Sequence, residues 1–260
     1  MSDGFSSYLF GLEIAYSSTE LAAIACTFFF AAFVKGATGL GFSTTCLPFL
    51  VYAVGLKRGI PLIILPSITS NIFVMMDVGH FKEIAHRFRW MLLATVPGVL
   101  IGLWLLDAAP AQQAVMVLGA VLISYALFAA FTPDLKLSHE MERLIGPVSG
   151  FVTGVVNGIT GSQIMPVMPY LMALQLDRGR FVQAINCSFT LSSLIMAGGL
   201  YYLELLDLSA VGVSALGLAF VYLGTRLGSV VRRMMSPAVF RNSVLLLLFG
   251  LGVSLLAKGF

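Results

Sequence analysis

Two stretches concentrate residues able to hold a small polar guest. The first is Lys35-Gly36-Ala-Thr38-Gly39-Leu-Gly41-Phe-Ser43-Thr44-Thr45, followed by Pro48. The second is Asn157-Gly158-Ile-Thr160-Gly161-Ser162-Gln163, followed by Pro166 and Pro169. Both interrupt apolar runs, where a lipid-facing helix would use Leu and Val. Non-helical backbone at membrane depth is tolerated only inside protein or along a wet cavity. If a half-helix starts after each break, its free amides point into the gap with partial positive charge, which favours an anion. The candidate binding residues are therefore Gly36, Thr38, Gly39, Gly41, Ser43, Thr44, Asn157, Gly158, Thr160, Gly161, Ser162 and Gln163. Lys35 abuts the first break, and Arg226 lies between Gly224 and Gly228, so both are candidate charges. Asn71 and Asn186 fall in the polar-spotted segments after each break and are candidate supporting donors. One such stretch alone would read as close helix packing through small residues. Two at matching places point to the binding site of a transporter.

Other chemistries find little support. The twelve carboxylates and the three histidines, His80, His86 and His139, all lie at termini, segment ends or loops. No apolar run carries a central carboxylate, which argues against a buried metal or cation site. No metal or cofactor is expected. The buried serines have no His or Asp near them in sequence, so an enzyme is not expected. Cys26, Cys46 and Cys187 are odd in number and widely spaced, which fits packing residues better than disulfides.

The composition sets the solvent. Of 260 residues, 58% are hydrophobic and 10% charged, and mean hydropathy is +0.96. Soluble domains carry roughly a quarter charged residues, so the bilayer must cover most of the surface. Residues 1–20 hold Asp3, Glu13 and Glu20 but no Lys or Arg, so no basic signal-peptide start is seen. The net charge of +3 comes from scattered loop residues and gives no reason to expect nucleic acid as a partner.

Ten apolar segments follow: 19–35, 42–56, 60–77, 90–106 and 111–131, then 144–159, 163–176, 181–203, 208–226 and 238–257. The two sets match in order. Gly36-x-Thr-Gly39 matches Gly158-x-Thr-Gly161, and Pro48-Phe-Leu50 matches Pro169-Tyr-Leu171. Leu56-Lys-Arg-Gly59 matches Leu176-Asp-Arg-Gly179, and Gly98-x-x-x-Gly102 matches Gly224-x-x-x-Gly228. This predicts a first transmembrane repeat over 1–131, a polar linker over 132–143 and a second repeat over 144–260. The GxxxG pairs suit either a homodimer contact or packing within one chain.

Charge counts address orientation. If the two short segments of each half form a hairpin, each half crosses three times and the second half is inverted. One side then carries Lys82, Arg87, Arg89, Lys136, Arg143, Arg178, Arg180, Arg232, Arg233 and Arg241, against Lys57, Arg58 and Lys258 on the other. That bias predicts an all-α polytopic membrane protein of two inverted repeats, with the N-terminus outside the cytoplasm. Each repeat would be a broken or re-entrant helical hairpin plus three transmembrane helices. Two full spans in place of each hairpin would give the same parity and remain open.

The paired Gly-rich breaks, each with Pro-x-Leu after it and a GxxxG-bearing helix further on, resemble the sulfite exporter TauE/SafE family over roughly residues 20–257. The resemblance implies eight membrane elements in two four-element repeats. It also implies export of sulfite, sulfonates or related sulfur-containing anions across the bacterial inner membrane. Many members carry consecutive glycines in each break, where this chain reads Gly-Leu-Gly-Phe-Ser and Gly-Ser-Gln-Ile. The primary expectation is a secondary transporter exporting a small sulfur-containing anion held between the two breaks near the midplane. Its partners would be that anion and membrane lipid. The rival readings are another anion such as a carboxylate, or a non-transporting membrane assembly or sensor protein.

Overall fold

The structure is a computed structural model. It describes residues 8–9, 12–13, 15–38, 41–131, 135–234 and 237–258. Residues 8–9, 12–13, 38, 77, 139, 232–234, 237–241 and 243 are described by their backbone only.

The chain is helical almost throughout. A small antiparallel pair, β1 (Tyr8–Leu9) with β2 (Leu12–Glu13), precedes the bundle, where only helices were expected. Eleven helices follow among the described residues: α1 (Ser18–Thr38), α2 (Phe42–Val54), α3 (Leu56–Val78), α4 (Phe81–Arg87), α5 (Arg89–Ala108), α6 (Ala111–Phe131), α7 (His139–Thr160), α8 (Val167–Ala173), α9 (Arg178–Tyr202), α10 (Leu208–Met234) and α11 (Pro237–Ala257).

Local chemistry sets several starts. Ser17 and Glu20 form a capping box on α1: the Ser17 N–H donates to Glu20 Oε2 at 2.7 Å, and the Glu20 N–H donates to Ser17 Oγ at 3.3 Å. Ser138 caps α7 by accepting from the Met141 N–H, with Glu140 and Glu142 in the first turn. This helix therefore begins before the apolar run expected to open at 144. Asp177 caps α9 through the Arg180 N–H. Six described helices, α1, α3, α5, α6, α9 and α10, contain stretches long and apolar enough to cross a membrane. Their outer faces expose large apolar side chains such as Trp90, Trp104, Phe131 and Leu223, as a bilayer-solvated surface requires.

The short segments expected at 42–56 and 163–176 appear as α2 and α8, of 13 and 7 residues, or about 20 and 10 Å. Their preceding partners are full-length, since α1 and α7 have 21 and 22 residues. In each pair the chain returns to the end it started from. Arg58, in the first turn of α3, donates to Glu20 Oε1 at 2.8 Å and to the Ala15 carbonyl at 2.6 Å. At the opposite pair, the Leu137 N–H donates to the carbonyl of Ala173, the last residue of α8.

Glycines set the two closest helix crossings. A Cβ on Gly98 or Gly102 of α5 would strike the carbonyls of Phe151 or Val155 on α7. A Cβ on Gly224 or Gly228 of α10 would strike those of Phe29 or Phe33 on α1. The numbering offset that carries Gly36 onto Gly158 also carries Phe29 and Phe33 onto Phe151 and Val155. Each GxxxG helix thus packs on the first helix of the other half, at corresponding residues. The motif serves contacts within the chain. In the same way, α3 packs on α9 and α6 on α11.

Candidate functional site

The first break turns at Gly41, whose φ of +90° is left-handed and suits glycine. Helix α2 starts at the next residue, with no side-chain cap. Its backbone ladder opens with the Thr45 N–H donating to the Gly41 carbonyl at 2.9 Å. The amides of Phe42, Ser43 and Thr44 precede that bond, and amides at this position have no acceptor within their own helix. They sit at the wall of a small chamber.

That chamber is lined by Lys35, Gly41, Phe42, Ser43, Thr44, Ser67, Asn71, Gln163, Asn186 and Phe189. It draws on α1, α2, α3 and α9, and Gln163 brings in the second break. Its volume is about 20 Å³, room for one water. Two sets of hydrogen bonds hold it closed. The Lys35 Nζ donates to Ser70 Oγ at 2.8 Å and to Asn71 Oδ1 at 3.2 Å. The Ser43 and Ser67 hydroxyls share a bond of 2.7 Å. Lys35 is the one charged residue in the lining, and among the described residues its bonds are to neutral groups. Gln163 Nε2 donates to Ser193 Oγ at 2.7 Å. The Asn186 amide turns back to the Val182 carbonyl at 2.7 Å.

Asn71 lies about 22 Å along α3 from Leu56 and about 10 Å from its far end at Val78; Asn186 lies about 12 Å from the start of α9. Along these two helices the chamber thus lies nearer the end where α9 begins.

The expected residues divide into groups. Gly41, Ser43, Thr44 and Gln163 line the chamber together with Lys35, Asn71 and Asn186. Gly36 packs instead against the Thr225 carbonyl, and Gly158 against Val99 and Gly102. Both are crossing glycines. Thr160 bridges its own helix end: its hydroxyl donates to the Val156 carbonyl at 2.7 Å and accepts from the Ser162 N–H at 3.1 Å. Gly161, with φ of +76°, closes α7 through its N–H to the Asn157 carbonyl. The Asn157 amide and the Ser162 hydroxyl are buried without a partner among the described residues and stand outside the lining. Arg226 is exposed and stacks on Tyr222, 5.4 Å from the ring centroid. The Thr38 side chain and Gly39 lie outside the described residues.

Sequence reasoning did not single out Phe42 and Phe189. Their place in the wall comes from helix rotation, and an apolar residue beside a polar one carries no distinguishing mark in sequence. It also missed Thr153, whose Oγ1 accepts from the Val167 N–H at 3.0 Å and so closes the start of α8.

A many-helix membrane bundle with a buried, cation-bearing polar chamber is the architecture of a membrane transporter. The chain belongs to the sulfite exporter TauE/SafE family, whose pattern it matches over residues 24–255. The family consists of transporters. No curated protein and no solved structure matches the chain.

Proposed function

We propose that the protein exports a small sulfur-containing oxyanion, sulfite or an organosulfonate, across the bacterial inner membrane. The observation that carries this reading is the meeting of Lys35 with the uncapped start of α2 in one chamber. A fixed cation and a row of helix amides favour negative charge. The family supports the sulfur-anion class.

The binding groups are Lys35, the α2 amides, Ser43, Thr44 and Gln163. At about 20 Å³ the chamber is too small for an oxyanion. Binding therefore requires the Ser43–Ser67 and Lys35–Ser70 contacts to part. This is the closed form of an alternating-access cycle in which one repeat rocks against the other.

The proposed frame is two inverted repeats of four elements each: α1–α2 with α3, α5 and α6, and α7–α8 with α9, α10 and α11. Support comes from the exchanged glycine crossings and from the opposite ends at which Glu20 and Glu142 hold an arginine. The arginine-rich end would be cytoplasmic and the N-terminus outside. A negative-inside potential then drives anions outward at about 2.3 kcal/mol per charge per 100 mV.

Sulfite loaded into proteoliposomes tests this. Efflux should rise as an interior-negative potential is imposed and should persist without a proton gradient. If a simple carboxylate moves and sulfite and organosulfonates do not, the substrate class is wrong. If nothing moves, the transport reading is wrong.

A further inference from the structure

We propose that a hollow at the arginine-rich end, between the α4–α5 corner and α7, binds the phosphodiester headgroup of an anionic phospholipid. The hollow has a volume of about 550 Å³, within the range of small-molecule sites. Its lining includes Arg87, Arg89, Glu142 and Arg143, with His86 beside them.

One of these cations is already matched. Arg87 Nε donates to Glu142 Oε1 at 2.7 Å and Arg87 Nη2 to Oε2 at 3.0 Å, a two-point pairing that cancels both charges and fixes the guanidinium. Arg89 and Arg143 remain. Among the described residues the Arg89 side chain makes one polar or ring interaction, its guanidinium lying 5.3 Å from the centre of the Trp90 ring. Arg143 has none. Two uncompensated arginines, contributed by two different helices, thus flank one hollow.

The surroundings select a lipid over a dissolved anion. Trp90 is 61% exposed and Leu144 74%, and Leu93 and Val148 continue the apolar surface one turn further along α5 and α7. A soluble anion would leave that surface to be covered by something else. A phospholipid covers it with its acyl chains while its phosphate meets Arg89 and Arg143. Trp at the end of a transmembrane helix marks headgroup depth, and basic pockets between helices suit anionic headgroups. Because Arg89 and Arg143 belong to the two helices joined by the Gly98–Gly102 crossing, the headgroup would tie that seam together from outside.

The test is native mass spectrometry of the full-length protein released from nanodiscs of equimolar phosphatidylglycerol and phosphatidylcholine. Phosphatidylglycerol should be retained preferentially. Arg143→Gln should cut its retention about fivefold, and R89Q/R143Q about twenty-five-fold. Among the described residues the Arg143 side chain makes no hydrogen bond, ion pair or ring contact, so its single variant reports binding with little cost to folding. Lys57→Gln, at the opposite end, should leave retention unchanged. Equal retention of the two lipids would overturn the proposal. So would retention insensitive to R143Q, or an equal loss with K57Q. Displacement of phosphatidylglycerol by millimolar inorganic phosphate would identify a soluble-anion vestibule instead and would also overturn it.

Discussion

At the first break, Gly41 hands the chain to an uncapped α2, and Lys35 stands beside the opening. At the second, Thr160 bridges the end of α7, and Thr153 satisfies the first amide of α8. The same offset that aligns Gly36 with Gly158 aligns Lys35 with Asn157. The first break has an opening and a charge; the second has a neutral amide and two sealing threonines. The two breaks align in sequence, and the side chains at and around them set which one opens onto a chamber. Of the second break's candidate residues, Gln163 lines the chamber and Thr160 bridges the turn.

The largest effect should come from the charge. Lys35→Met removes the one cation in the chamber and should weaken sulfite binding about 100-fold, or ~3 kcal/mol, as read by titration calorimetry. The protein should still fold, because the loss leaves only the neutral Ser70 and Asn71 without a donor. Binding that survives within a few-fold would place the anion elsewhere and remove the asymmetry between the breaks.

Next in size is the seal. Thr153→Val leaves the Val167 N–H buried without an acceptor, which costs about 1–3 kcal/mol. The melting temperature should fall while sulfite affinity holds. Thr160→Val should behave alike, because its hydroxyl bonds lie within the turn. If either variant loses affinity and keeps its melting temperature, the second break faces the substrate after all.

A smaller effect of opposite sign is expected at Asn157. Its amide is fully buried and has no partner among the described residues. Replacing an unsatisfied buried polar group by an apolar one of similar size is neutral or stabilising. Asn157→Leu should raise the melting temperature slightly and leave binding unchanged. A fall in affinity comparable to that of Lys35→Met would show that the aligned positions share one role.

Much of this frame was readable from residue order. The breaks announced themselves through Gly, Thr and Pro inside apolar runs, and the GxxxG pairs marked both crossings because only glycine permits such backbone approach. What escaped depended on distant partners. Thr153 lies fourteen residues before the amide it satisfies, inside a helix where a threonine carries no special signal. Helix α4 is a short amphipathic turn, with Ile84 buried and polar neighbours exposed, and it fell below the length at which apolar periodicity registers. The position of the chamber along the helices follows from where α1 stops relative to α3 and α9, and no local pattern encodes that.

The smallest expected effect separates the supports of the two halves. The start of α3 is tied to its own half, Arg58 to Glu20. The start of α9, which carries Asn186 into the chamber, is tied across to α4: Arg180 Nε meets Glu83 Oε1 at 2.6 Å and Arg180 Nη1 meets Asp177 Oδ2 at 2.7 Å, with His80 Nδ1 3.4 Å from Glu83. Bonds from Arg180 hold both the Glu83 and the Asp177 carboxyls below their ordinary values. A carboxylate depressed in the folded state stabilises it above the unfolded value, and that stabilisation is lost as pH falls through the folded value. The melting temperature should therefore be level from neutral pH down to about pH 5 and decline below about pH 4. These groups are exposed, so the decline should be shallow and weaker still in high salt. Glu83→Gln removes the cross-half carboxylate and should flatten part of that acid limb, leaving the remainder to Asp177 and other carboxylates. An acid limb unchanged in Glu83→Gln would mean that the α4–α9 contact contributes nothing to the support of α9, and the two halves would then be anchored alike.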